Sequence, residues 1–365
     1  MPDFSKPVHR RPIQVLVDLD RLREPASGLG HVAISLGRQF AALAEGTNEV
    51  RFTFLLPKKD VGRFGQAVGY VACSPILKIF PWLHKRYDVW YCPHQDVSFS
   101  PPSGVPFIMT INDLNFIHEK KKHRIRARLA RIQKWIDRSS RVTVISAHTG
   151  KEVRENLSAG DRNLEVIPFG LELKMFDAPR EPAFVPASPF FLTVGVHKKT
   201  KNYQALIGLM EQLPECALVM IGKSDTPAGQ EFRDALEGRG LTHRVHVLGA
   251  VSDEEKYWYY SRCQAVFFPS TSEGMGYPPL EAMQMRRPVF AFSASAIPEI
   301  CGAHALYWSS SDPQAMAREV REKLAWYEGN SQFIEAAWQH GMSFSWEKVA
   351  AAYVNLFKEI CKISP

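Results

Sequence analysis

Short apolar runs alternate along this chain with longer segments of helical periodicity. In the first half, the apolar runs predict strands at Gln14–Asp18, Arg51–Leu56, Asp88–Cys92, Pro106–Ile111, Arg141–Ile145 and Leu164–Pro168. In the second half, they predict strands at Phe190–Val196, Ala217–Gly222, Val245–Leu248, Ala265–Pro269 and Pro288–Phe292. Strands that alternate with helices favour parallel sheets built from strand-helix-strand units. We therefore expect an α/β protein with two Rossmann-like domains.

The boundary between these domains is predicted at residues 177–189, where DAPREPAFVPASP carries four prolines and no periodicity. The first domain then covers residues 1–176 and the second covers residues 190–344. The last segment, residues 345–365, contains an amphipathic helix at about 346–361. Its apolar face is formed by Trp346, Val349, Tyr353, Leu356 and Ile360. This helix is long enough to dock across a neighbouring domain.

Composition is that of an ordinary globular protein: 365 residues, 45% of them apolar and 23% charged, enough for two cores. No stretch approaches ~18 continuous apolar residues, so no membrane span is expected. The N-terminal apolar run is too short for a signal peptide, which predicts a cytoplasmic protein. The six cysteines are scattered without zinc-ligand spacing, so we expect reduced thiols.

The positive charge is concentrated in residues 118–141, which hold ten Lys or Arg against two acids, whereas the whole chain carries +7. Ile125, Leu129, Ile132 and Ile136 recur there at helical spacing and predict a basic amphipathic helix. The cationic residues chosen as its candidate contacts are Lys120, Lys121, Lys122, Arg124, Arg126 and Arg128. A solvated helix face is one reading, and attraction to an anionic membrane surface is the other. No stacking platform or nucleic-acid motif accompanies the basic helix, so nucleic acid is not an expected partner.

The most informative segment is SEGMGYPPLEAM, residues 272–283. It places Glu273 on a loop between a strand and a helix, and Glu281 in the first turn of that helix. Glycines at 274 and 276 allow backbone N–H groups to approach a phosphate at the helix start. Glu281 can accept hydrogen bonds from a ribose diol, and Glu273 can face sugar hydroxyls or developing positive charge. A helix cap and a structural glycine turn explain the same residues equally well.

Three other loops follow predicted strands, where parallel sheets bind their ligands. The first contains Gly28 and Gly30, which suit close approach of a phosphate or serve as a structural turn. The second contains Asn112 and Asp113, which place an amide and a carboxylate at the cleft or form an Asx turn. The third contains Lys198, Lys199 and Lys201, which suit a diphosphate if they face the Glu273 loop.

Taken together, the chain resembles glycosyltransferase family 4, the retaining, nucleotide-sugar-dependent enzymes with the GT-B fold. The resemblance is carried in order by the Gly28-Leu29-Gly30 loop and by the segments MTINDLNFI, VTVISAHTGKEV, LEVIPFGLE, FLTVGVHKKTKN, HVLGAVSDEE, AVFFPSTSEGMGYPPLEAM, RPVFAFSASAIPEICG and FSWEKVA. It implies that the first domain binds the acceptor, that the second binds the donor, and that the last helix crosses back to the first domain.

The resemblance also assigns roles. It implies that Lys201 binds the donor diphosphate, that Glu273 contacts the transferred sugar and that Glu281 holds the ribose. The backbone of Gly274, Met275 and Gly276, with Tyr277 beside them, supports sugar and phosphate, and residues near Val251 line the nucleobase pocket. The predicted catalytic set is Glu273, Lys201, Asn112 and Asp113. Such enzymes usually need no metal, since cations and helix N-termini neutralise the leaving group.

Three positions depart from the family pattern. Asn112 stands where His is frequent, Val196 where Arg is frequent, and Phe169 where Asn is frequent. Lys198 or Lys199 can replace the missing arginine only as a point charge, without its bidentate fork.

The sequence therefore predicts a retaining hexosyltransferase of lipopolysaccharide or surface-polysaccharide synthesis, acting at the inner face of the cytoplasmic membrane on a glycan or lipid-linked acceptor. The run GYPPLEAM resembles that of mannosyltransferase-type members of the family, which implies GDP-mannose as the first expected donor and a UDP-hexose as the second. A nucleotide-sugar epimerase of the same architecture and a catalytically silent GT-B binding protein remain the alternatives.

Overall fold

The computed structural model describes residues 11–25, 27–80, 87–119, 121–159, 164–172 and 180–363. Within these ranges the chain forms two parallel β-sheets flanked by helices, one sheet in each half. The predicted α/β architecture with two Rossmann-like domains is confirmed.

The first sheet has seven parallel strands in the order β3-β2-β1-β4-β5-β6-β7. These are Ile13–Asp18 (β1), Val50–Leu56 (β2), Gly69–Ala72 (β3), Val89–Cys92 (β4), Phe107–Ile111 (β5), Arg141–Val144 (β6) and Leu164–Val166 (β7). The associated helices are Gly28–Gly46 (α1), Pro75–Ile79 (α2), Phe116–Glu119 (α3), Lys122–Arg138 (α4) and Ala147–Asn156 (α5).

Both faces of this sheet are buried, because side chains alternate along each strand. Val15 and Val17 of β1 point to the face covered by α1, whereas Leu16 points to the face covered by α4. Ile132 and Ile136 of α4 are buried, and Ile125 and Leu129 pack partly buried against the same core. The apolar stripe of the basic helix therefore faces the sheet.

The second sheet has six parallel strands in the order β10-β9-β8-β11-β12-β13. These are Phe190–Val194 (β8), Ala217–Ile221 (β9), Val245–Gly249 (β10), Val266–Phe268 (β11), Val289–Phe292 (β12) and Leu306–Trp308 (β13). The associated helices are Gln204–Glu211 (α6), Pro227–Gly238 (α7), Asp253–Arg262 (α8), Tyr277–Gln284 (α9), Ile297–Cys301 (α10), Pro313–Glu328 (α11) and Ser331–Met342 (α12).

The last helix, Trp346–Ile363 (α13), packs on the first sheet beside α1. The hydroxyl of Tyr353 lies 2.9 Å from Oγ1 of Thr110 and 3.0 Å from Oγ1 of Thr143, both in the first sheet. The ring of Tyr353 lies 4.3 Å from that of Tyr91. Because all four side chains are buried, this small polar cluster fixes where the last helix lies on the sheet.

Two strands were not predicted, β3 and β13, and both are short edge strands. The basic segment is also divided: α3 ends at Glu119 and α4 begins at Lys122. Of the predicted linker, residues 180–189 form neither helix nor strand, and residues 177–179 lie outside the described ranges. No helix in the described part of the chain combines the length and apolar character that crossing a membrane requires.

Candidate active site

Three loops meet where the carboxyl ends of the two sheets face each other. The loop after β5 carries Asn112 and Asp113, the loop after β8 carries Lys201, and the loop after β11 carries Glu273 and Gly274. A β-carbon added to Gly274 would lie 2.2 Å from the carbonyl oxygen of Asn112, so the two domains touch here backbone to backbone. Only glycine allows this approach.

Lys201 and Glu273 form an ion pair between two of these loops. Nζ of Lys201 lies 2.5 Å from Oε1 of Glu273, and the side chains are 16% and 11% exposed. The ammonium also lies 5.0 Å from the ring centroid of Phe268, at the end of β11. A cation and a carboxylate are therefore held together, largely shielded from water, at the edge of the second sheet.

The loop that carries Glu273 is fixed by its backbone. The N–H of Glu273 donates to Oγ of Ser295 at 2.9 Å. Gly276 has φ +92° at the start of α9, and a β-carbon there would lie 2.6 Å from Cδ1 of Ile297. Met275 is buried in the core, so it offers its backbone rather than its side chain. Among the described residues, no side chain caps α9. Pro278 and Pro279 in its first turn have no N–H, so the backbone donors at the helix start come from Tyr277 and the loop before it.

On the first-domain side, the Asn112–Asp113 loop is held by Gln95. The side-chain oxygen of Gln95 accepts from the N–H of Asn112 at 3.1 Å, and its amide donates to the carbonyl of Asp113 at 2.9 Å. Oδ1 of Asp113 accepts from the N–H of Asn115 at 3.1 Å. This contact forms the Asx turn that the sequence offered as one of two interpretations of the loop. Oδ1 of Asn112 is buried with no hydrogen-bond partner in the described structure.

The carboxyl of Asp113 is harder to ionise than usual. Burial raises its pKa, and the negative charge of Glu273 raises it further, against the lowering effect of the Asn115 N–H and of Lys198. Lys198 itself is directed to α3, where its Nζ lies 3.9 Å from Oε2 of Glu119. The effect of Glu273 on Asp113 places groups from both domains in one electrostatic environment.

Glu281 lies beside a cleft of about 160 Å³ between the domains. Its carboxylate accepts from Nζ of Lys256 at 2.7 Å and from the hydroxyl of Tyr260 at 2.7 Å, and only 8% of the residue is exposed. The cleft is lined on the opposite side by Gly28 of α1, and it includes Tyr277. The position of Glu281 is thus set by two partners that hold its oxygens toward this cleft.

The two glycines of the first loop have different roles. A β-carbon at Gly28 would meet open space beside the cleft. The N–H of Gly30 instead donates to the side chain of Ser27 at 3.0 Å, and a β-carbon at Gly30 would lie 2.1 Å from the carbonyl oxygen of Glu24. Gly30, in the first turn of α1, is therefore required by close backbone packing against Glu24, and its predicted contact with the donor stays a prediction. Val251 lies on the loop before α8 and packs against the core.

Within the described residues, Asp18, Asp20 and His94 are the side chains grouped closely enough to share a metal ion. They lie buried at the ends of β1 and β4, and Oδ1 of Asp20 is already 3.0 Å from Nε2 of His94. Burial and the neighbouring Asp20 raise the pKa of Asp18 well above its usual value. Oδ1 of Asp18 accepts from the N–H of Asp20 at 3.0 Å, so each of the three side chains has a hydrogen-bond partner within the chain.

Comparison with known proteins bears on the second half of the chain. Residues 176–340 match the family model described as "Glycosyl transferases group 1". The second domain belongs to the group 1 glycosyl transferases. This region contains Lys201, Glu273 and Glu281.

Curated relatives of this glycosyl transferase domain are named as mannosyltransferases. The serotype-specific mannosyltransferase WbdA of Escherichia coli is 30% identical over 153 residues, which cover 41% of this chain and 19% of that protein. The O-antigen chain mannosyltransferase B of Escherichia coli is 21% identical over 392 residues, covering 95% of this chain and 100% of that protein. The chain thus spans about a fifth of the WbdA relative and the whole of the second.

Among solved structures, HepE of Anabaena in complex with UDP-glucose superposes with a TM-score of 0.70 at 15% identity, covering 95% of this chain and 100% of that one. At this level of identity the likeness concerns the fold. With the two parallel-sheet domains described above, it identifies the architecture as GT-B.

Of the cations predicted to form the basic surface of this helix, four are exposed in the structure. Lys121, Lys122, Arg124 and Arg126 are exposed near the start of α4, and Lys120 lies outside the described residues. Arg128 differs from them: it donates to Asp96 at 2.8 Å, and its guanidinium lies 4.4 Å from the ring centroid of Phe116. Its guanidinium is engaged within the first domain by Asp96, which also pairs with Arg131, so Arg128 does not belong to a free basic surface.

The three departures from the family pattern also have defined surroundings. Val196 is exposed on the loop before Lys198. Phe169 is buried and stacks on Trp346 at a centroid distance of 5.5 Å, where α13 starts.

Several residues that shape the site of the glycosyl transferase domain were missed from the sequence: Lys256 and Tyr260 beside Glu281, Ser295 beneath Glu273, and Gln95 in the first domain. Ser252-x-x-Glu255 marks the start of α8 as a capping box and was a usable signal for the helix, but not for its contact with Glu281.

Proposed function

We propose that this protein is a retaining glycosyltransferase that moves a hexose from a nucleotide sugar to a glycan or lipid-linked glycan acceptor. The observation that carries the proposal is the Lys201–Glu273 ion pair at the junction of the two domains, 2.5 Å long and largely shielded from water. Its position in a group 1 glycosyl transferase domain supports this reading.

The pair suggests how the donor engages the site. A diphosphate is a stronger partner for an ammonium than one carboxylate, so the donor takes over Lys201 and releases Glu273 to face the sugar. The uncapped start of α9 and the backbone of Gly274, Met275 and Gly276 add N–H donors and a positive helix end. As the bond to the leaving diphosphate breaks, these groups stabilise its negative charge without requiring a metal.

Glu281 holds the ribose in this proposal. Its oxygens each retain a lone pair beyond those used by Lys256 and Tyr260, and the side chain borders the cleft lined by Gly28 and Tyr277. The carboxylate therefore can accept from two vicinal hydroxyls while its charge stays paired with Lys256.

Mannose is the favoured hexose, with GDP-mannose as the first donor and a UDP-hexose as the second. The names of the two Escherichia coli mannosyltransferases support mannose. The UDP-glucose bound to HepE keeps the second donor class open.

The acceptor is proposed to lie at the inner face of the cytoplasmic membrane, during synthesis of lipopolysaccharide or another surface polysaccharide. The exposed cations at the start of α4, Lys121, Lys122, Arg124 and Arg126, support contact with an anionic membrane surface. The O-antigen relative supports the polysaccharide class.

The first test is thermal stabilisation by GDP, UDP and ADP and by their mannose, glucose and N-acetylglucosamine derivatives, with and without magnesium. A ligand of the folded state raises the melting temperature. We expect a selective shift with the guanine series and, with GDP-mannose, slow release of GDP by donor hydrolysis. No shift with any compound would favour a silent binding protein, and conversion of the donor to an altered nucleotide sugar would favour an epimerase.

A further inference from the structure

The side chain of Glu299 joins the two domains. Glu299 lies on α10 of the second domain, and its carboxylate accepts from the N–H groups of Ala147 at 2.6 Å and of His148 at 3.0 Å. These are the first two residues of α5 in the first domain. The N–H groups of a first helical turn have no partner within the helix, and a carboxylate placed there also meets the positive end of the helix dipole.

Helix α5 provides no such carboxylate of its own. Its first turn contains no acidic residue, and its N-cap, Ser146, accepts only from the N–H of Thr149. The acidic partner therefore comes from the opposite domain, across 152 positions of sequence. Both hydrogen bonds are exposed to solvent, which makes them modest in strength and easily broken.

The segment that bears Glu299 also supports the catalytic loop. Ser295, four residues earlier, has φ +52° and accepts from the N–H of Glu273 at 2.9 Å. Ile297, two residues before Glu299, closes on Gly276 so tightly that a β-carbon there would clash with Cδ1. Residues 295–299 thus contact the Glu273 loop on one side and α5 on the other.

We propose that Glu299 is a positioning residue: it latches α5 to the second domain in the closed state and thereby holds residues 295–299, and with them Glu273, in register with the first domain. This inference rests on the proposed transferase function for its effect on rate. A solvent-exposed latch suits a cycle in which the domains must separate to release product.

The latch can be removed from either side. Glu299→Ala removes the carboxylate, and Ala147→Pro removes the N–H that it meets at 2.6 Å. Proline is favoured at the first position of a helix. The preceding Ser146, with φ −156° and ψ 157°, already has the extended conformation that a residue before proline adopts. Glu335→Ala is the matched control, because Glu335 pairs with Arg286 at 2.6 Å inside the second domain.

We expect each latch variant to lower kcat for hydrolysis of GDP-mannose by between about twofold and thirtyfold, the range for one carboxylate at a helix start. The double variant should be no slower than the slower single one, because both changes remove the same contact. Glu299→Gln, which keeps one acceptor oxygen, should recover part of the rate. Small-angle X-ray scattering, measured both without nucleotide and with GDP, should show a larger radius of gyration for both latch variants than for the wild type and Glu335→Ala.

An unchanged kcat and an unchanged radius of gyration in Glu299→Ala would overturn the latch. So would a lower kcat accompanied by a lower melting temperature and an unchanged radius of gyration, since that pattern belongs to a merely structural side chain. The scattering comparison without nucleotide requires no activity. It therefore tests the latch independently of catalysis. The transferase proposal fails separately, if no tested nucleotide stabilises the protein and no donor is hydrolysed.

Discussion

Lys201 and Glu273, 72 positions apart in sequence, place an ammonium and a carboxylate oxygen 2.5 Å from each other at the junction of two sheets. Each follows a strand of the second sheet, β8 and β11, which are hydrogen-bonded neighbours. The loops at the carboxyl ends of adjacent parallel strands necessarily lie side by side, which explains why the pair forms.

Replacing Glu273 separates catalysis from nucleotide binding. Glu273→Ala should lower sugar transfer or donor hydrolysis by a factor of about 10² to 10³, the usual loss on removing one electrostatic contact to a transition state. Affinity for GDP should be maintained, because the freed Lys201 still meets the diphosphate. Turnover and calorimetric GDP titration check this, with Glu335→Ala as the surface control. Wild-type turnover in Glu273→Ala would exclude the catalytic assignment.

Closure of the domains depends on the absence of a side chain at position 274. In Gly274→Ala the new methyl group would lie 2.2 Å from the carbonyl oxygen of Asn112, so the loop and the first domain must separate. We expect donor hydrolysis to fall at least tenfold, an order-of-magnitude estimate from the sensitivity of catalysis to small displacements.

Gly238→Ala is the control for this variant, since a β-carbon there meets open space at the end of α7. It should leave hydrolysis unchanged and should not lower the melting temperature. Equal activity of both alanine variants would show that contact between Gly274 and Asn112 is not needed for the reaction.

Binding to anionic vesicles should depend on the start of α4. Changing Lys120, Lys121, Lys122 and Arg124 together to Glu should abolish sedimentation with vesicles that contain an anionic phospholipid, since each basic residue near such a surface contributes about 1 kcal/mol. Wild-type binding should also weaken as salt is raised. The control is Lys58→Glu with Lys59→Glu, two exposed lysines elsewhere in the first domain. Undiminished sedimentation of the fourfold variant would refute the membrane contact.

His197 should make the stability of the fold depend on pH. The residue is buried between the rings of Tyr203 and Phe232, and burial, with a smaller effect of Arg233, lowers its pKa from 6.5 to about 4. The unfolded chain therefore binds a proton at a higher pH than the folded chain does. The stabilising contribution is fully present above pH 6.5 and is lost as the pH falls from 6.5 toward about 4.

Urea unfolding across this interval checks the effect. His197→Phe, which preserves the aromatic contacts and cannot be protonated, should show a shallower loss of unfolding free energy than the wild type. Replacement of the exposed His243 by Gln should leave the pH dependence of the unfolding free energy as it is in the wild type. An identical pH dependence of the unfolding free energy in wild type and His197→Phe would contradict the attribution of this effect to His197.

The predicted strands agree with the structure to within about two residues where the strand is central and fully buried, as with Phe107–Ile111 and Ala217–Ile221. Such strands are continuous apolar runs, which the sequence displays directly. Gly69–Ala72 and Leu306–Trp308 were missed because runs of three or four residues carry little pattern, whereas the equally short Leu164–Val166 was found within the longer predicted run Leu164–Pro168. Gly30 illustrates a further limit: its close approach to the carbonyl of Glu24 depends on how the chain folds before α1, which no local motif specifies.

The sequence by itself determined the alternating α/β order, the division into two domains, the loops that carry Lys201 and Glu273, and the helix that carries Glu281, because these follow from local periodicity and from short motifs. Only the tertiary structure decided that Lys256 and Tyr260 hold Glu281, that Arg128 pairs with Asp96, and that Glu299 reaches α5 of the other domain. Those contacts join residues up to 152 positions apart, and their distances depend on how helices pack within each domain and, for Glu299, on how the two domains meet, which no local pattern of side chains encodes.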